Sequence, residues 1–175
     1  MKRTAIVIVC AACVLLAGQA LAQTRPTYVG SQKCQICHRT EKQGQQYPVW
    51  EQSQHSHSFA ALSTPEAADK AKAAGVTGNP AESPVCQNCH APLHDKAPEF
   101  KAEGVTCEIC HGPGSEYKKL SVMKDKDEAV KNGLVLYGSP DKIKAHCMKC
   151  HANAHGTVFD FAASWNKIKH PIPKG

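Results

Sequence analysis

A chain of 175 residues suits one domain. With 21 Lys and Arg against 15 Asp and Glu, the formal charge is +6, yet the lysines are spread along solvated stretches without interleaved aromatics, which argues against a nucleic-acid surface. Aromatic residues make up only 6% of the chain, so large flat apolar faces for a core are scarce.

The first element is the leader "MKRTAIVIVCAACVLLAGQALAQ". Lys2 and Arg3 form a basic start, Ala5 to Leu16 an apolar run, and Ala20, Leu21 and Ala22 fit a small-x-small cleavage site. The run is short for a membrane span and is soon interrupted by Gly18 and Gln19. Residues 1–22 are therefore expected to be a cleaved secretory signal, with 23–175 as a single mature domain, no transmembrane segment after cleavage, and a periplasmic or extracellular destination. Gln23, rather than a cysteine, follows the cleavage site, so no lipoprotein anchor is expected. Of the ten cysteines, Cys10 and Cys13 leave with the leader.

All eight remaining cysteines fall in a repeated five-residue figure. "CQICH" supplies Cys34, Cys37 and His38. "CQNCH" supplies Cys86, Cys89 and His90. "CEICH" supplies Cys107, Cys110 and His111, and "CMKCH" supplies Cys147, Cys150 and His151. An exported chain normally turns close thiols into disulfides, and two C-x-x-C pairs can also make a zinc site. Neither arrangement asks for a His after every second cysteine, nor does a thioredoxin-like dithiol. Covalent c-type haem asks for just that. On a helical turn, residues three apart share a face, so both sulfurs meet one porphyrin edge while the His binds the iron. Four haem c groups are thus expected. Their bulk would form the core that so short a chain cannot build from side chains alone. Loss of Lys2 and Arg3 takes the charge from +6 to +4, and eight propionates would carry it to about −4.

Between the motifs the signals are mostly helical. "YPVWEQSQHSHSFAAL" predicts a helix from Pro48. "STPEAADKAKAAG" has Thr64 as cap, Pro65 as first residue and Gly75 as stop. Ser115 to Gly133 reads as one exposed helix of mixed charge. "GLVLYG" is the one β-like run. A helix capped at Ser139-Pro140 is expected to run to Gly156, and another from Asp160 to Pro171. The fold class is mainly α with little β: helices and loops wrapped around four closely packed haems.

The second axial ligand decides whether a haem only transfers electrons or also binds small molecules. Six histidines are free for that place: His55, His57, His94, His146, His155 and His170. On a continuous helix His55 and His57 point about 200° apart. His55 shares a stripe with Phe59 and Leu62, which favours it over His57. His94 and His155 each follow a proximal His by four residues, so each can reach only a neighbour's iron. His146, next to Cys147, has the same limit. His170 suits a ligand carried in by the last helix, or a plain C-terminal cap on the helix dipole. Distal candidates are therefore His55, His170, His94 and His155, in that order. The Gly-Pro-Gly after His111 would let backbone pass close to a porphyrin edge, or is an ordinary turn. Met123 is a thioether ligand or, more simply, packing.

"GSQKCQICH", "WEQSQHSHSFAAL", "GVTCEICHGPGSEY" and a lone "CMKCH" before a C-terminal His resemble the cytochrome c-554 family of exported tetrahaem cytochromes. The resemblance implies a mainly α fold with haems in closely spaced pairs. It implies bis-His ligation for most irons and allows one five-coordinate iron, usually at the second motif. The His of W-x-x-S-x-H, a distal ligand in that family, falls on His55. The family's type member has a His about ten residues beyond the third motif, whereas "GSEYKKLSVMKD" has none. His94, His155, His170 or Met123 takes that place, or the iron is open. Relatives also polymerise into extracellular haem filaments in which one subunit donates a ligand to the next, so self-assembly is a possible partner mode. The reading that follows is a periplasmic electron shuttle between donor and acceptor redox proteins. The rivals are an enzyme whose open haem binds or reduces a small nitrogen oxide, and a filament subunit.

Overall fold

The computed structural model describes residues 25–152 and 154–172; the expected signal peptide lies outside them. The fold is mainly helical, and the described residues contain no strand. Among the described residues ten short α-helices follow one another: α1 Ser31–His38, α2 Gln46–Glu51, α3 Ser58–Ala61, α4 Pro65–Ala73, α5 Pro84–His90, α6 Cys107–His111, α7 Leu120–Met123, α8 Lys126–Lys131, α9 Pro140–His151 and α10 Phe161–Ile168. No helix among the described residues is long and apolar enough to cross a membrane.

Three of the expected helix starts form by local capping. The Thr64 hydroxyl accepts from Ala67 N–H, Ser139 from Lys142 N–H, and Asp160 from Ala163 N–H. Pro65 and Pro140 fill the first helical turn, where no donor is missed.

Two expected helices are broken. The segment from Pro48 to Leu62 splits into α2 and α3 around a run of turns. Serine hydroxyls cause the break by taking backbone carbonyls: Ser53 Oγ donates to Trp50 O at 2.7 Å, and Ser56 Oγ to Glu51 O at 2.8 Å. The stripe joining His55 to Phe59 and Leu62 therefore does not exist as one helical face. Residues 115–133 split in the same way, because Asp125 caps a new helix, accepting from Asp127 and Glu128 N–H. The last motif's helix stops at His151 rather than Gly156. "GLVLYG" forms no strand; Val135 N–H instead donates to His111 O at 2.9 Å and straps the third motif.

The polypeptide core is small. Its buried apolar side chains are Tyr47, Leu62, Ala71, Ala91, Leu93, Ala97, Tyr117 and Ala129, half of them alanine. Meanwhile Ile36, inside the first motif, is 77% exposed, and Val85, beside the second, 66%. Two hydrogen-bonded knots order the chain instead. In the first, Glu108 accepts from Val29, Gly30 and Gly114 N–H at 2.6–3.1 Å, Glu103 accepts from Ser31 N–H at 2.7 Å, and Ser31 Oγ accepts from Cys107 N–H at 3.3 Å. In the second, Trp50 Nε1 donates to Val105 O at 2.8 Å and Val105 N–H to His55 O at 2.9 Å. There Gly104 has φ +68, and a Cβ would lie 2.5 Å from His55 O, so the position suits glycine.

Candidate functional site

Each motif forms the last turn of a helix: α1, α5, α6 and α9. The helical turn is what brings the two sulfurs of a C-x-x-C pair to one side. Among the described residues no two cysteines are joined in a disulfide.

The proximal imidazoles are oriented from behind. His90 Nδ1 lies 2.9 Å from Ser58 O, and His111 Nδ1 lies 3.1 Å from Val135 O. His38 Nδ1 lies 3.2 Å from Gln46 Oε1. A carbonyl-type oxygen can only accept, so each Nδ1 carries its proton and the Nε2 lone pair stays free for a metal. His151 is held differently, stacked on Phe159 with ring centroids 4.4 Å apart.

Three proximal rings face a second imidazole. His55 and His151 are 6.2 Å apart between centroids, His90 and His155 6.2 Å, and His111 and His170 5.8 Å. Two metal–nitrogen bonds of about 2 Å, plus roughly 1.1 Å from each nitrogen to its ring centre, require about 6.2 Å. The donor set thus fits an iron between each pair. Burial holds His55, His111, His151 and His170 below the usual imidazole range, favouring the neutral, ligating form.

The distal candidates divide. His55 is half-buried opposite the fourth motif, while His57 is exposed. His155 sits opposite the second motif, in a left-handed backbone conformation with φ 56. That conformation is uncommon without glycine, and the surrounding structure must hold it. His170 sits opposite the third motif. His94 is not brought across from a proximal imidazole; its Nδ1 lies 3.2 Å from Ala91 O, within its own turn. His146 packs on Tyr137 at 5.1 Å.

The thiols also reveal which motifs are neighbours. The Cys34 thiol is pushed far up, first by its hydrogen bond with Cys107 and then by burial. Burial, then the charge of Cys147, pushes Cys110 up to about 11. Burial and a hydrogen bond with Cys89 push Cys150 up to about 12. The first motif therefore touches the third through Cys34 and Cys107 and the fourth touches the second through Cys150 and Cys89, while the third and fourth lie within reach of each other's charge. Among the described residues no three His, Cys, Asp or Glu side chains gather as a conventional metal cluster, so the pairs do not merge into a four-sulfur site.

Sequence reasoning missed Gln46, Glu108 and Phe159. A Gln eight residues beyond a motif, an acid at a variable motif position and a lone Phe carry no local signal. The Gly-Pro-Gly turn has a reason of its own within the polypeptide. Gly112 has φ +80, and a Cβ there would lie 2.6 Å from Gly133 O.

Thiol pairs on helical turns, each followed by an imidazole, define a c-type cytochrome, a protein of electron transfer that holds haem c covalently. The family model for cytochrome c554 and c-prime matches residues 33–112, which span the first three motifs. The chain is 25% identical over 173 residues to cytochrome c-554 of Nitrosomonas europaea, covering 90% of this chain and 68% of that protein. Both likenesses support the cytochrome c-554 family. No solved structure matches.

Proposed function

We propose that this chain is a periplasmic tetrahaem cytochrome, with residues 23–175 as its single domain, shuttling electrons between donor and acceptor redox proteins. The observation that carries the reading is the iron-sized gap between three pairs of imidazoles. Haem c, when bound, supplies the iron that cycles between ferrous and ferric. Cys34 and Cys37, Cys86 and Cys89, Cys107 and Cys110, and Cys147 and Cys150 hold the four groups, with His38, His90, His111 and His151 as proximal ligands. His155 serves opposite His90, His170 opposite His111, and His55 opposite His151; His94 is left out of the set.

Two imidazoles close an iron to other ligands and keep its geometry the same in both oxidation states, which suits electron transfer more than turnover. The sulfur neighbours order the four sites as first, third, fourth, second, and that order is the route proposed for the electron. Export supports the location: the leader has the form of a secretory signal, and thioether attachment belongs to exported chains.

The test is haem content and ligation in protein purified from the periplasmic fraction. Four haems per chain by pyridine haemochrome and mass are expected. Electron paramagnetic resonance of the oxidised His55→Ala protein should show one low-spin iron converted to high-spin. A haem count other than four, or an unchanged spectrum in that variant, would remove the reading or its best ligand.

A further inference from the structure

The third and fourth motifs carry opposite charges in their variable positions. "CEICH" holds Glu108 and "CMKCH" holds Lys149. The two differ in setting as well as in sign. Glu108 is 1% exposed, and the backbone N–H groups of Val29, Gly30 and Gly114 donate to its two oxygens at 2.6–3.1 Å. Donors that converge in this way ask for an acceptor-only group, which is the ionised carboxylate. Among the described residues Glu108 is the one buried Asp, Glu, Lys or Arg, and no cationic side chain there lies within ion-pair distance of it. Lys149 stands exposed on α9, where water screens it.

The knot that holds Glu108 lies between two sites. Cys107 directly precedes it, Ser31 Oγ accepts from Cys107 N–H, and the thiols of Cys107 and Cys34 are hydrogen-bonded. The negative charge is felt on both sides. It adds to burial in raising the Tyr117 hydroxyl, and to the Cys107 hydrogen bond and burial in raising the Cys34 thiol. Lys149 acts with the opposite sign, easing down a Cys150 thiol that burial raises.

A haem iron between two neutral imidazoles gains a positive charge when it passes from ferrous to ferric. A fixed anion nearby favours the ferric state and so lowers the reduction potential; a cation does the reverse. On the proposed pairing, His111 with His170 and His151 with His55 give the third and fourth sites the same ligand type, so charge is what separates them. Burial alone disfavours the charged ferric state. A carboxylate locked into the same buried knot reverses that preference, because its field is weakly screened there.

We propose that Glu108 sets the direction of electron transfer between the third and fourth haems, its buried charge holding the third at the lower reduction potential. One electron leaves the ferrous iron of the third site, which becomes ferric, and reduces the ferric iron of the fourth to ferrous. No proton moves and no bond is made or broken. Glu108 touches neither iron and acts as a positioning residue through its field. The inference rests on the tetrahaem reading. Fewer than four haems would sink that reading, while four haems with the third midpoint at or above the fourth would sink only this one.

The measurement is a potentiometric titration of the full-length haem protein followed by electron paramagnetic resonance. His170→Ala and His55→Ala assign the third and fourth low-spin signals. In the parent protein the third should be reduced at the lower potential, and the gap should persist as salt is raised, because the charge is buried. Glu108→Gln keeps the shape and removes the charge. It should favour the ferrous third haem by about tenfold, which is about 59 mV for one electron, with a smaller change at the fourth and both line positions kept. Should that variant fail to assemble, the order of the parent midpoints and their response to salt decide. A third midpoint at or above the fourth overturns the inference, and so does a gap that closes with salt. A third midpoint unmoved in Glu108→Gln, even with its line position changed, would assign Glu108 to structure alone and overturn it too.

Discussion

The third and fourth motifs share a five-residue pattern but not a means of support. Around the third, Glu108 and Thr106 are each 1% exposed, Tyr117 is buried with its hydroxyl donating to Gly112 O, and two stretches of backbone, at Val29–Gly30 and at Gly114, converge on one carboxylate. Around the fourth, none of the twelve residues of α9 is buried. That helix is tied instead by rings, with His55 opposite His151 and Phe159 stacked on it. The same attachment chemistry thus sits on a site preformed by the polypeptide in one place. In the other, the site is completed by what the cysteines and imidazoles hold. A short chain does not build such a knot at every motif, because each ordered residue costs conformational entropy that little apolar burial offsets here.

Breaking the third motif's knot should have the largest effect. Glu108→Ala leaves three backbone donors at Val29, Gly30 and Gly114 without their acceptor, in a region closed to water. At about 1–3 kcal/mol for each unsatisfied buried group, the loss should reach about 3–5 kcal/mol after relaxation. Thermal unfolding of the haem protein, followed by circular dichroism, would measure it; a midpoint within a degree or two of the parent would refute the knot's importance. Next comes Gly112→Ala. It forces a Cβ onto a φ of +80 and against Gly133 O, at about 1–3 kcal/mol. Because Val135 lies just past that contact and accepts from His111 Nδ1, the variant should also disturb the third haem's spectrum, whereas Gly75→Ala, with open space around it, should leave all four unchanged.

The fourth motif should answer to aromatic rather than polar changes. Phe159→Ala removes a stacked pair worth about 0.5–1.5 kcal/mol beyond its area. Its clearer effect should be spectroscopic. With the stack gone, His151 can rotate, and the low-spin signal assigned through His55→Ala should broaden or move. An unchanged signal would mean that the sulfur links alone orient the ring.

What the sequence made legible was local. Thr64, Ser139 and Asp160 start helices because a cap needs only a side chain and a backbone donor two or three residues on. The cysteines and proximal histidines were readable for the same reason, since one turn of helix contains the whole unit. His55 was favoured over His57 through a stripe that the serines dismantle; what the structure gives instead is a ring 6.2 Å from that of His151. His155 was ranked last; its approach to His90 depends on its own left-handed backbone beyond the end of α9, and nothing in "HANAHG" reports a φ of 56. Glu108 and Gln46 act at sequence separations of 79 and 125 residues, toward Val29 and Pro171, where no periodicity reaches.

Asp160→Ala is the smallest change and sharpens the comparison most finely. The Asp160 carboxylate accepts from Ala163 N–H at 3.0 Å and starts α10, whose end leads to His170. Losing such a cap costs about 1 kcal/mol. That energy is spent at the start of α10, while the ligand lies beyond its far end, so the two effects can be separated. If α10 is a rigid arm, fraying its first turn should lower the midpoint slightly and leave the third haem low-spin, because Gln46 still clasps Pro171 from the other side. The double change Asp160→Ala with Gln46→Leu should then exceed the sum of the two. Strict additivity in melting and in spin state would show that the clasp and the helix hold His170 independently.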